Sequence, residues 1–107
     1  MAHYLLQVSY AASAVKAMVA NPQNREDAVR KVVESMGGKL HAFYFALGEF
    51  DVVIIAEFPD NVSAAAVALA TSATGALSKF ETTVLMSPAE GVEAMRKAKT
   101  GAYSPPA

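Results

Sequence analysis

The chain has 107 residues, enough for one domain with a hydrophobic core and too few for two. With 53% hydrophobic and 18% charged residues, against about 25% charged in an ordinary soluble domain, it carries more apolar material than one small core hides, so part of it belongs at an interface. The net charge of −1 with scattered Lys and Arg argues against a phosphate-backbone footprint, and the lack of Cys excludes disulfides, thiolate nucleophiles and Cys-ligated metals.

His3 to Tyr10 (HYLLQVSY) is rich in aromatic and β-branched residues and reads as a first strand. No basic region followed by an apolar run accompanies Met1, so a secretory leader is not expected. A helical stretch covers Ala12 to Ala20, and Asn21-Pro22 interrupts it, because Pro is tolerated in a first helical turn and not inside a helix. From Asn24 the helix restarts. Ala28, Val29, Val32, Val33 and Met36 recur at helical spacing, Glu26 and Asp27 lie in the first turn, and Gly37-Gly38 supplies the stop.

Lys39 to Leu47 (KLHAFYFAL) and Asp51 to Phe58 (DVVIIAEF) read as strands two and three. Pro59-Asp60-Asn61 then breaks the chain and caps an Ala-rich helix from Val62 to Ser72, whose small residues suit close packing on a sheet. The apolar-rich stretch from Val62 to Leu77 is interrupted by Ser, Thr and Gly and falls short of a membrane span, so a cytoplasmic protein is the expectation. Phe80 to Met86 is a fourth strand. Ser87-Pro88-Ala89-Glu90 is a capping box with Pro at the first helical position, and the helix it starts ends near Lys99. One domain therefore spans residues 1–99, followed by an extended, Pro-containing tail over 100–107.

This order, βαββαβ with an added C-terminal helix, predicts an α+β, ferredoxin-like fold with a four-stranded antiparallel sheet and both main helices on one face. An antiparallel sheet with one solvated face alternates apolar and polar residues, whereas Val52–Ala56 (VVIIA) and Ala42–Leu47 (AFYFAL) do not. A second copy of the chain, related by a two-fold axis, is the economical cover for the other face. The competing expectation is that the terminal helix folds back over its own sheet.

A two-residue Gly48-Glu49 loop with Gly first predicts a type II′ hairpin in which Leu47 pairs with Phe50. Phe43, Phe45, Leu47, Phe50, Val52, Ile54 and Phe58 then share the helix side. Leu40, Ala42, Tyr44, Ala46, Asp51, Val53, Ile55 and Glu57 share the open side, where Tyr44, Asp51 and Glu57 are the polar groups of an apolar patch suited to a small ligand. Asp51 has an alternative task, accepting local backbone N–H groups at a strand end, and Glu57 another, as an edge charge that limits strand addition. Asp51 and Glu57 lie about 20 Å apart along one strand at ~3.4 Å per residue, too far for joint acid–base work.

Gly48-Glu49-Phe50-Asp51 with VVIIAEFPD after it, Gly37-Gly38-Lys39-Leu40 with Phe43-Tyr44, Asn21-Pro22, Thr82-Thr83, the Ser87-Pro88-Ala89-Glu90 helix start and a Tyr-x-Pro-Pro tail together resemble the GYD domain family over nearly the whole chain. Phe50 stands where that family usually has Tyr, with Glu49 as a spacer. The resemblance implies a dimeric α+β barrel and no defined chemistry. The hairpin is also similar, over about ten residues, to the effector-binding module of leucine-responsive (Lrp/AsnC-type) regulators, which implies a ligand near Tyr44, Gly48 and Asp51.

His3 and His41 are the only histidines, and neither has a ligand-type partner two or four residues away, so no metal site and no cofactor are expected from spacing. Relatives of the implied fold group use a pocket histidine on haem or an aromatic substrate, which makes His41 the catalytic candidate. Three functional readings follow. One is a small-molecule-binding module, in a regulatory role, with its ligand at the dimer seam near Tyr44, Gly48 and Asp51. The others are a cofactor-independent or haem-linked monooxygenase or isomerase using His41, and a purely structural oligomerisation protein. The partners expected are the chain itself and a small molecule, with neither nucleic acid nor membrane.

Overall fold

The computed structural model describes residues 1–107. Its elements run β1 (Ala2–Tyr10), α1 (Ala12–Ala20), α2 (Glu26–Ser35), β2 (Lys39–Phe45), β3 (Val52–Phe58), α3 (Asn61–Ser72), β4 (Leu77–Leu85) and α4 (Pro88–Ala98). The four strands form one antiparallel sheet in the order β2-β3-β1-β4, the ferredoxin-like arrangement with an added terminal helix. No helix is long and apolar enough to cross a membrane.

Strand β3 sets the two-sided character of the sheet. Val52, Ile54, Ala56 and Phe58 are buried, and the intervening Val53, Ile55 and Glu57 are half-buried on the other face. Tyr4, Leu6 and Val8 of β1 join the buried set, and Val33 of α2 with Ala64 and Val67 of α3 closes the core over it. The small side chain of Ala64 lets α3 approach closely.

Local chemistry starts and stops the helices. Gly37 takes the left-handed φ of 77° past the end of α2, and the Gly38 N–H reaches back to the Val33 carbonyl at 3.0 Å, so the chain reverses directly into β2. The Asp60 carboxylate accepts from the Ser63 N–H at 2.8 Å, and these hydrogen bonds hold its carboxyl below the usual range. Ser87 and Glu90 form the reciprocal capping box that opens α4, with Pro88 in its first turn.

Several expectations need correction. The hairpin is not a two-residue type II′ turn, since Gly48 lacks the positive φ such a turn requires. Instead the Ala46 N–H donates to the Asp51 carbonyl at 2.8 Å, leaving Leu47 to Phe50 as the loop. The loop's parity is unchanged, so Tyr44 still pairs with Val53 and Phe45 with Val52. Leu40, expected on the open side, is buried in the core, because the β2–β3 register shifts between Leu40 and Ala42 and leaves His41 unpaired in a bulge. Phe45 and Leu47, expected in the core, are exposed: β2 is an edge strand and its hairpin end runs beyond the helices. Phe50 does turn into the core. Strand β4 begins at Leu77 rather than Phe80, because pairing with Ser9 and Tyr10 of β1 extends it through the polar Ser78-Lys79 pair.

The terminal helix does not fold back. Every residue of α4 except Gly91 is exposed, Val92 and Met95 among them, and the residues after it form neither helix nor strand. The molecule measures 57 × 34 × 23 Å with a radius of gyration of 17.3 Å, against about 13 Å for a compact chain near this length. The open face of the sheet is thus bare within one chain.

The α2–β2 junction is tight enough to test. A Cβ on Gly38 would lie 2.6 Å from the Glu57 carbonyl oxygen and 2.7 Å from Phe58 Cδ1, so Gly38→Ala must force β2 and β3 apart. A loss of about 1–3 kcal/mol in urea unfolding is expected, and a change below about 0.5 kcal/mol contradicts this packing.

Candidate functional site

At one end of the open face, three adjacent strands bring together side chains that lie far apart in sequence. His3 of β1 pairs directly across the ladder with Glu57 of β3. His41 arrives from β2 through the bulge. With Leu40 opposite Ala56 in the core, alternation along β2 turns His41 to the open face, and the extra residue lets Ala42, opposite Ile55, lie on that face as well. The outcome is a carboxylate oxygen, Glu57 Oε1, facing His41 Nε2 at 2.6 Å and His3 Nε2 at 3.4 Å. The two imidazoles stack at 5.2 Å between centroids with planes 23° apart. The hydrogen bond with His41 is the main influence holding the Glu57 carboxyl below its ordinary range, with smaller help from the charges of His3, His41 and the chain's amino group. His3 is half-exposed and Glu57 the least accessible of the three, so the cluster is reached from solvent.

His41 therefore has a carboxylate partner, and its place is the open face. Spacing along the chain gave no hint of this, because both partners come across strands. Glu57, read as an edge charge, sits instead on a strand with neighbours on both sides. Knowledge that β1 pairs with β3 in this topology brings His3 opposite Glu57. Nothing in the sequence marks His41 as the bulged residue.

The hairpin residues are arranged differently. Asp51 Oδ2 accepts from the Tyr10 N–H at 2.8 Å, and its own N–H donates to the Val8 carbonyl at 2.8 Å, so Asp51 ties the start of β3 to the end of β1. Its alternative task is to accept local backbone N–H groups; Asp51 does accept a backbone N–H at a strand end, but from the neighbouring strand β1 rather than from its own turn. Tyr44 lies on the open face, 69% exposed, and Gly48 is at the loop tip with nothing near the place of a Cβ. The loop is held by Glu49: Lys79 Nζ donates to its carboxylate at 2.9 Å while standing 4.7 Å over the Phe50 ring, and Ser9 Oγ donates to its carbonyl at 3.3 Å.

A cavity of about 160 Å³ lies on the opposite, helix side, between α2, α3 and the sheet. Its wall is mostly apolar, with Val29, Phe43, Ile54 and Phe80 prominent, and none of Tyr44, Gly48 or Asp51 lines it. Two groups in its lining have open hydrogen-bonding capacity. Arg25, half-buried, donates Nη1 to Gln23 Oε1 at 2.7 Å and pairs with no carboxylate. The Tyr10 hydroxyl has no partner in the chain, and burial pushes its pKa up while Arg25 draws it down and Asp51 adds to the rise. The hydroxyls of Thr71 and Thr74, also in the lining, donate to the backbone of α3. Composition concealed this pair, because Arg25 reads as an ordinary residue in the first turn of a helix and Tyr10 as the end of a strand.

Residues 4–95 match the model of the GYD domain family. No curated protein matches the sequence.

The role of Asp51 can be separated from ligand binding by stability alone. Asp51→Ala removes the acceptor for the Tyr10 N–H and is expected to cost about 1–3 kcal/mol in urea unfolding, with Asp51→Asn recovering most of the loss. Equal stability of wild type and Asp51→Ala contradicts the bracing role.

Proposed function

The chain belongs to the GYD domain family, and from that premise we propose that it is a small-molecule-binding module whose ligand is a compact apolar carboxylic acid held in the helix-side cavity. The supporting observation is that half-buried Arg25, free of any carboxylate, shares the lining of a mostly apolar cavity with the unpartnered Tyr10 hydroxyl and is close enough to influence its titration. A cavity near this size accommodates a benzene-sized body, and two convergent donors suit one anionic head group. Arg25 supplies charge and a planar fork, Tyr10 a single directed O–H, and Asp51 holds the Tyr10 backbone in place from the next strand.

The second copy belongs to the same reading. The open face carries half-buried Leu5, Val53 and Ile55 beside exposed Tyr44, and α4 does not cover it. A homodimer joined through this face leaves the helix-side cavity of each protomer accessible, so binding does not require a residue from the partner. Tyr44 then serves the seam, and Asp51, outside the cavity lining, supports it only by holding the Tyr10 backbone.

Calorimetric titration of the full chain with benzoate, phenylacetate and hexanoate, set against benzamide and hexanol, tests the ligand class. The acids are expected to bind and the neutral analogues to bind more weakly. Arg25→Gln should lower the affinity for the acids by about 10- to 100-fold, the loss of a charge-assisted hydrogen bond, without lowering the unfolding midpoint of the free protein. No binding by any acid, or unchanged affinity in Arg25→Gln, overturns the assignment. Sedimentation equilibrium tests the dimer, with twice 11.2 kDa expected for the wild type and a monomer for Ile55→Glu.

A further inference from the structure

We propose that His3, His41 and Glu57 form a binding site for a divalent transition-metal ion, with the three side chains as protein ligands and the remaining positions open to water or a small exogenous ligand. This site is on the opposite face of the sheet from the cavity and is independent of the ligand-binding reading.

The geometry carries the proposal. One ring nitrogen from each imidazole and a carboxylate oxygen, delivered by three neighbouring strands, all lie within 4.8 Å of one another. Metal–nitrogen and metal–oxygen bonds of about 2.0–2.2 Å place the donors of a tetrahedral centre ~3.3 Å apart. The His3–Glu57 separation of 3.4 Å already meets this, and the His41–Glu57 separation of 2.6 Å has to open by under about 1 Å as the ion replaces the shared proton. Both imidazoles present the same nitrogen, Nε2, to the same oxygen, so no ring flip is needed. Strand backbones fix the three Cα positions, which makes the arrangement more rigid than one carried on loops.

The donor set also restricts the ion. Imidazole and carboxylate suit zinc, ferrous iron, cobalt or nickel, and the hard all-oxygen shell that calcium and magnesium require is missing. Three protein ligands rather than four, at the end of the open face away from the hairpin and reached by solvent within the single chain, describe an open centre rather than a closed structural one. Nearby charge is mixed: Lys39 stands opposite Glu57 in the ladder, and Glu90 in the first turn of α4 is close enough to feel the charge of His3 while bonded to the Ser87 N–H.

A competing account is a plain hydrogen-bonded cluster in which both imidazoles donate Nε2–H to Glu57 and no ion enters. Titration of the untagged full chain with Zn²⁺ separates the two, followed by calorimetry and by the His3 and His41 ring-proton resonances, with Co²⁺ absorption as a second probe. One ion per chain is expected, with both histidine resonances shifting together and the unfolding midpoint rising with Zn²⁺. Glu57→Gln and His41→Ala should each weaken Zn²⁺ binding by at least about 10-fold. Each variant's metal-free unfolding midpoint and far-UV spectrum show that its fold is intact. Binding that survives His41→Ala unchanged belongs to His3 and the chain start alone and overturns the site. So do ring resonances unmoved by excess Zn²⁺.

Discussion

The bulge between Leu40 and Ala42 is the constraint from which much of the molecule's arrangement follows. On its N-terminal side, Leu40 opposes Ala56 and enters the core; on its C-terminal side, Ala42 opposes Ile55 on the open face and Phe43 opposes Ile54 on the helix side. One unpaired residue thus lets an edge strand satisfy two incompatible phases. Without it, either Leu40 leaves the core or Phe43 leaves the wall of the cavity. Gly38 belongs to the same device, since its missing side chain lets the start of β2 lie against Glu57 and Phe58 immediately before the phase change. The bulged residue itself, His41, is the one that meets Glu57.

Strand β3 is the wall that both candidate sites share. Val52 and Ile54 line the helix-side cavity, while Glu57, three residues beyond Ile54 and on the other face, anchors the histidine cluster. The two places have opposite chemistry. The cavity offers a guanidinium and a phenol to an anion, and the cluster offers two imidazoles and a carboxylate to a cation. Strict alternation along β3 keeps them apart although they are drawn from the same seven residues.

Much of the fold was legible in the sequence because its signals are local. The Gly37-Gly38 stop, the Asp60 cap and the Ser87–Glu90 capping box each act through hydrogen bonds within a few residues, and the βαββαβ order then leaves few topologies. The even parity of the hairpin was also legible, which is why Tyr44, Val53 and Ile55 fall on the expected face although the turn type differs. What escaped depends on partners distant in sequence. The bulge at His41 is chosen by the competition of Leu40 and Phe43 for the core, and no residue type near it announces a bulge. The exposure of Phe45 and Leu47 follows from where the helices end over an edge strand. Arg25 gains its meaning only from a cavity whose wall is collected from β1, β2, β3, β4, α2 and α3.

The most direct measurement is a nuclear Overhauser experiment on the metal-free, full-length chain in solution. Expected are cross-peaks between the ring protons of His3 and His41, whose centroids lie 5.2 Å apart, together with cross-peaks from the Leu40 methyls to core residues such as Val33 and Phe58. Leu40 methyls contacting Ile55 or the Glu57 side chain, with His41 ring protons contacting the core instead of His3, would place β2 in an unbroken ladder and contradict the bulge on which the core and the histidine cluster both rest.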